Sequence, residues 1–153
     1  MPDQHSQKLT DLPKRITGAA AWIGQEMAGD PDAWLYHLTP EDIADLENAA
    51  RHFLALGLDV GEISKETFPL TTFSAHVGEL NKILLDGVGL QVLRGLPIAG
   101  YSQKFSATIF CGIGTHLGSA RSHNSQGHIL GHVRDIGGDI NDPNSRIYQT
   151  NER

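Results

Sequence analysis

Four histidines, His116, His123, His128 and His132, lie close together in the later part of the chain. Imidazole is a common ligand for transition metals, so metal chemistry is the first reading to weigh. His128 and His132 are four apart, an offset that puts two side chains on one face of a helix. Gly127 and Gly131 oppose a helix there. On a strand, four residues span roughly 13 Å, too far for two ligands of one segment to share an ion. No carboxylate stands at the H-x-D or H-x-E offset from any histidine. A small metal site using His123, His128 and His132 is therefore the weaker alternative. Gly112, Gly114 and Gly118 give G-x-G-x-x-x-G, one residue too long for a dinucleotide fingerprint, and they fall within or at the end of a predicted helix rather than before one. There is no G-x-S-x-G, no Walker loop and no Cys/His pair with persuasive spacing. The residue types alone assign no catalytic residue and no metal ligand.

The elements that would position any chemistry are clearer, and they centre on residues 87–118. A short apolar run, Leu90 to Arg94, is bounded by Gly87 and Gly89 before it and by Gly95 and Pro97 after it, the pattern of a buried strand entering a tight turn. Ser102 then caps a helix with Phe105, Ile109, Phe110, Ile113 and Leu117 at helical spacing. Gly112 and Gly114 inside it each cost roughly 1 kcal/mol relative to alanine. Close packing of this helix against a sheet would offset that cost.

The preceding half reads as helices. Residues 1–14 are polar and expected to be disordered. Thr17 can cap a short helix over 18–27 containing Trp22, Ile23 and Met27, with Gly29-Asp-Pro-Asp32 ending it. Trp34, Leu35 and Tyr36 form an apolar patch, read as surface aromatics folding back onto the core in preference to a ligand-stacking site. The strongest helix spans 39–56. Thr39 is its N-cap, Pro40 takes the first helical position and Asp42 sits at the capping-box position. Ile43, Leu46, Ala50, Phe53 and Leu54 form its stripe. Glu41, Asp42 and Asp45 load its N-terminal end, Arg51 and His52 its C-terminal end, and Gly57 stops it. His52 is read as a helix-end charge rather than a base. A further helix spans 72–86, after Pro69, with Phe73, Val77, Leu80 and Leu84 as its stripe and Gly87 as its stop. His76, on the flank of that stripe, is read as a partly buried structural histidine. After Ser119, Ile129–Leu130, 132–136 and 146–150 read as strands, with a turn at Asn141-Asp-Pro-Asn-Ser145. Helices beside a predominantly antiparallel sheet make an α+β protein.

Composition bounds the partners. The chain has 153 residues, 39% hydrophobic and 20% charged, with 12 basic and 18 acidic residues and a net charge of −6. With no basic cluster beyond Lys14-Arg15, neither nucleic acid nor an anionic membrane is an expected partner. The single Cys111 excludes an internal disulfide, and no apolar run reaches the length of a membrane span. A cytoplasmic location is the expectation.

The ordered series Leu84-Leu-Asp-Gly-Val-Gly-Leu-Gln-Val-Leu-Arg-Gly-Leu-Pro97, Tyr101-Ser102, Ile113-Gly-Thr-His-Leu-Gly118, Asn124-Ser-Gln-Gly-His-Ile-Leu-Gly-His-Val-Arg-Asp-Ile-Gly137 and Arg146-Ile-Tyr-Gln-Thr-Asn151 resembles the N-terminal portion of the TauD/TfdA (taurine dioxygenase-like) family, in particular its clavaminate-synthase-like members. The resemblance covers about residues 20–153. It implies an oxidoreductase that uses iron(II) and 2-oxoglutarate to oxidise a small molecule, on a double-stranded β-helix, a jelly-roll barrel. It also implies that two histidines and a carboxylate hold the metal and that an arginine holds the cosubstrate's far carboxylate. The expected fold is N-terminal helices packed on the first strands of an incomplete double-stranded β-helix, over residues 15–153.

This sequence departs from the family pattern in two ways. The H-x-D that opens the family's triad follows a segment like Tyr148–Arg153, so the resemblance places the metal ligands and the cosubstrate arginine beyond Arg153. His123 stands where related sequences more often carry glutamine. Tyr148, Thr150 and Asn151 are the substrate-proximal candidates, with a core-strand role for Tyr148 as the alternative. No metal and no cosubstrate is expected to bind this chain alone, and it is expected to be inactive. The rival reading is a non-catalytic interaction module, a homo-oligomer or partner-bound chain that pairs through an open sheet edge.

Overall fold

The computed structural model describes residues 17–122 and 127–131. The chain divides into two compact units, residues 1–120 and 121–153. The first contains every regular element described: α1 (Gly24–Gly29), β1 (Leu35–His37), α2 (Pro40–Ala55), α3 (Phe73–Leu85), β2 (Val92–Arg94) and α4 (Gln103–Leu117), with single 3-10 turns at Pro31–Ala33, Val60–Glu62 and Ile98–Gly100. This mixture of helices with a small sheet is α+β. No helix among the described residues is long and apolar enough to cross a membrane.

Helix α2 starts as its sequence dictates. Thr39 Oγ1 accepts from the Asp42 amide at 3.1 Å, and Asp42 Oδ2 accepts from the Thr39 amide at 2.9 Å, closing a reciprocal capping box with Pro40 in the first turn. Leu46, Ala49, Ala50 and Phe53 are buried. At the other end Gly57 takes a φ of +71°, the left-handed conformation that lets the chain leave the helix.

Helix α3 begins differently. Thr72 makes no side-chain cap. The cap comes from α2, 27 positions earlier: Asp45 Oδ2 accepts from the amides of Thr71 and Phe73, each at 2.9 Å, and its Oδ1 accepts from Thr71 Oγ1 at 2.6 Å. Asp45 is buried, so this carboxylate satisfies amide donors that water does not reach. Phe73, Val77 and Leu80 then enter the core, while Leu84 is half-buried. Gly87 closes α3 as expected, its amide donating to Lys82 O at 3.1 Å; a Cβ there would sit 2.9 Å from Ile83 O.

Helix α4 is capped by Ser102, whose Oγ accepts from the Phe105 amide at 3.2 Å. It packs mainly on α2 and also touches α3 and the Val60–Glu62 turn. Its glycines separate into two cases. A Cβ on Gly112 would lie 2.5 Å from ring atoms of Phe68, a fully buried side chain in the link between α2 and α3. Close packing does require Gly112, but against a phenylalanine rather than against a sheet. Gly114 meets nothing within 4 Å. Of the predicted stripe, Ile109 is buried while Phe110 is 69% exposed, because helix neighbours cover only one side of α4.

The strands depart most from expectation. β1 and β2 pair in parallel, Leu35 opposite Val92, Tyr36 opposite Leu93 and His37 opposite Arg94. From sequence, 34–36 reads as an apolar patch rather than a strand, and a predominantly antiparallel sheet is expected. Here 35–37 is a strand, and its pairing is parallel because α2 and α3 lie between the two strands and form the crossover that such pairing needs. β2 starts at Val92 rather than Leu90, after Gly89 turns the chain with a φ of +81°. It is not buried either, since Val92 is 45% exposed. Helix α1 also starts later than predicted. Gly18, with a φ of +108°, makes a turn closed by the Ala21 amide, and Gly24 becomes the first helical residue, where the glycine no longer interrupts a helix. In the second unit Ile129–Leu130 forms a bend, not a strand. Residues 1–14, the predicted strands at 132–136 and 146–150 and the turn at 141–145 lie outside the described residues.

Two substitutions test this packing. Asp45→Ala strands two backbone amides and a hydroxyl, and urea unfolding should show a loss of about 2–4 kcal/mol. Gly112→Ala removes a helix-weakening glycine, so an unhindered site would gain up to about 1 kcal/mol. The Phe68 clash predicts a net loss of about 1–3 kcal/mol instead.

Candidate functional site

Tyr148, Thr150 and Asn151, the substrate-proximal candidates, lie outside the described residues, as do His123 and His132. The described histidines have separate tasks. His116 Nε2 lies 2.8 Å from Phe68 O, and its ring meets the Phe68 ring edge-on at 6.4 Å, so it fastens α4 to the α2–α3 link. His52 is exposed in the last turn of α2, and His128 is exposed. Among the described residues no group of three His, Cys, Asp or Glu side chains comes together to hold a metal. Cys111 is half-buried, and burial pushes its thiol up, away from the reactive thiolate.

The polar side chains that do converge lie between the strand pair and two helices. β1 presents Tyr36, whose hydroxyl donates to Asp42 Oδ2 at 2.9 Å. α3 presents His76, stacked on the Tyr36 ring with centroids 3.5 Å apart and planes 19° from parallel. His76 Nε2 lies 2.9 Å from Oε1 of Gln91, the residue that leads into β2. Phe73, at 5.3 Å from the imidazole, forms the buried side of the cluster. Thus His76 is the partly buried structural histidine read from sequence, and Tyr36 folds back onto the core. Gln91 was not foreseen, because nothing local distinguishes it from a solvated glutamine.

The electrostatics make this a positioning cluster. Burial raises the Tyr36 phenol above its ordinary range and the Asp42 carboxylate adds to this, so the hydroxyl stays a donor at neutral pH. Burial opposes ionisation of Asp42, but donors from Thr39 and Tyr36, with a smaller effect of nearby His76, outweigh it and hold the carboxyl below its usual value. The carboxylate is already occupied by its donors. Through Oδ2 it supports a helix start and a strand at once.

A second cluster joins α2 to the start of α4. Tyr101 donates to Glu47 Oε1 at 2.6 Å, while Arg51 donates to Glu47 Oε2 at 2.6 Å and to Asn48 Oδ1 at 3.0 Å. Burial, followed by the Glu47 hydrogen bond and charge, pushes the Tyr101 phenol up to about 12. The hydrogen bond from Tyr101, followed by that from Arg51, holds Glu47 below the usual carboxylate range. Tyr101 belongs to the Tyr-Ser pair that carried part of the family resemblance. Its neighbours in that pattern are also joints: Gly89 and Gly95 turn the chain with positive φ, Ser102 caps α4 and His116 fastens it.

Two known proteins are similar in sequence to this chain. The chain is similar to FR-33289 synthase of Streptomyces rubellomurinus, 32% identical over 142 residues that cover 92% of this chain and 42% of that protein. It is also similar to a taurine hydroxylase-like protein of Stachybotrys chartarum, 28% identical over 130 residues that cover 84% of this chain and 34% of that protein. The chain therefore spans less than half the length of these curated relatives. No family model matches it. The matches and the ordered motifs together define a class, the proteins related to taurine dioxygenase. Similarity to both over most of this chain supports a TauD-like family.

Both clusters predict acid sensitivity. Asp42 and Glu47 have folded-state pKa values below their unfolded ones. Their stabilisation is complete above the unfolded carboxylate values and is lost as pH falls through the folded ones. The urea midpoint should be flat from neutral pH to about pH 5 and fall below it. Asp42→Asn and Glu47→Gln should each lower the neutral-pH midpoint and flatten the acid limb, read by circular dichroism across a pH series.

Proposed function

We propose that this chain forms part of an iron(II)- and 2-oxoglutarate-dependent oxygenase, an oxidoreductase acting on a small molecule. The observation that carries this reading is the similarity to FR-33289 synthase over 92% of the chain, and the similarity to a taurine hydroxylase-like protein supports it. When bound, the metal and cosubstrate would supply the oxidation, with decarboxylation of 2-oxoglutarate. A facial metal site needs two imidazoles and a carboxylate with open positions beside them. The described residues do not fit that requirement: His76 and His116 are each engaged elsewhere, and no three-ligand group forms among these residues.

In this reading the described residues are the helical buttress for the early strands of a double-stranded β-helix. Their contribution is rigidity at the start of β2 and at the cap of α4. Tyr148, Thr150 and Asn151 are the candidates for substrate contact, and the 153 residues alone do not turn over 2-oxoglutarate. The test combines the intact mass of the native polypeptide, the transcript read past Arg153 and a succinate-release assay. The expected result is a reading frame that continues into an H-x-D and a native product that releases succinate with iron(II), while the 153-residue chain does not. A native product inert toward 2-oxoglutarate under iron(II) would overturn the proposal.

A second reading rests on the sheet itself. β1 and β2 have three residues each, and Val92 is well exposed on β2, a small pair for independent stability. A chain that works as an interaction module would complete this sheet with a second copy or a full-length relative. Sedimentation of the 153-residue chain as a monomer, alone and mixed with such a relative, removes this reading.

A further inference from the structure

Residues 19–29 are held to the molecule in an unusual way. Helix α1 has no buried residue, so no apolar face fixes it to the core. Its ties come from two indoles. Ahead of the helix, Trp22 Nε1 donates to Val88 O at 2.8 Å, and Trp22 remains 38% exposed. Beyond it, Trp34 Nε1 donates back to Met27 O at 2.8 Å. Ala20 adds only a light contact, 3.9 Å from where a Cβ on Gly89 would sit.

The two ends differ in strength. Trp34 is half-buried, and its own carbonyl accepts from the Val92 amide at 2.7 Å, so that end is built into the β1–β2 pairing. The Trp22 end hangs on one exposed hydrogen bond to a loop carbonyl. A single neutral hydrogen bond contributes about 1 kcal/mol net, so its open form is populated far more than the unfolded state. We infer that residues 19–29 form a strap, hinged at Trp34 and clasped at Val88, that opens independently of the helical core. Its two attachment points, Val88 and Val92, bracket Gln91, the partner of His76. Opening the clasp loosens one side of the segment that delivers Gln91 to the Tyr36–His76 stack, and so makes the approach to β2 a two-state element.

Trp22→Phe in the full 153-residue chain tests this, because it keeps a ring and removes the donor. Hydrogen exchange should accelerate about fivefold at the Glu26 and Met27 amides, which bond to Ile23 O at 3.0 and 3.2 Å, with no change at Ala50 inside α2. The sequence has 2 tryptophans, so the variant retains Trp34 alone, and its emission wavelength should stay that of a half-buried indole. Unchanged exchange at Glu26 and Met27 would show that Trp22 is no clasp. Equal acceleration at Ala50 would make the segment part of the core, and a red-shifted Trp34 would remove the hinge.

Discussion

The buried carboxylate of Asp45 is the constraint on which the remaining packing depends. It belongs to α2, yet it satisfies the amides that open α3 and the hydroxyl of Thr71. A helix start ordinarily leaves several amides without partners, and burial makes that costly. Because the side chain that answers the amides of Thr71 and Phe73 is on α2, α3 can begin in one place relative to α2. The crossover from β1 to β2 runs through these two helices, so their mutual placement also sets the parallel register of the strands.

The same helix supplies two further anchors. Asp42, one turn before Asp45, receives Tyr36 from β1, and Glu47 receives Tyr101 from the approach to α4. Three carboxylates on one helix thus hold the sheet, α3 and α4. The pattern has an electrostatic logic. Each carboxylate meets a donor that stays protonated at neutral pH, a phenol raised by burial or a backbone amide. α2 is therefore a hub whose specificity comes from directional bonds, while Phe53, Phe68 and Phe73, all fully buried, supply the non-directional part.

What could be read from the sequence follows the range of the interactions. The capping box of α2, its glycine stop and the serine cap of α4 depend on neighbours within a few positions, and they were legible. Asp45 was legible only as a charge near a helix start, because its partners lie 26 and 28 positions on. Gly112 was recognisable as a close approach, but its partner Phe68 sits in a link with no periodicity to mark it. The strand at 35–37, and with it the parallel pairing of β2, went unread for a related reason: an apolar run reports a strand, whereas its partner and pairing direction are set by what lies between the strands. The proposed substrate contacts, Tyr148, Thr150 and Asn151, fall outside the described residues.

Among the described residues, those that carried the family resemblance serve mainly as joints of the backbone. Gly87, Gly89 and Gly95 shape the chain around β2, Tyr101 and Ser102 hold the start of α4, and His116 fastens its last turn. A pattern made of joints can persist among proteins acting on different small molecules, because it constrains where strands and helices begin rather than what they touch. Kinship with FR-33289 synthase and with a taurine hydroxylase-like protein therefore speaks to a shared scaffold more strongly than to a shared substrate.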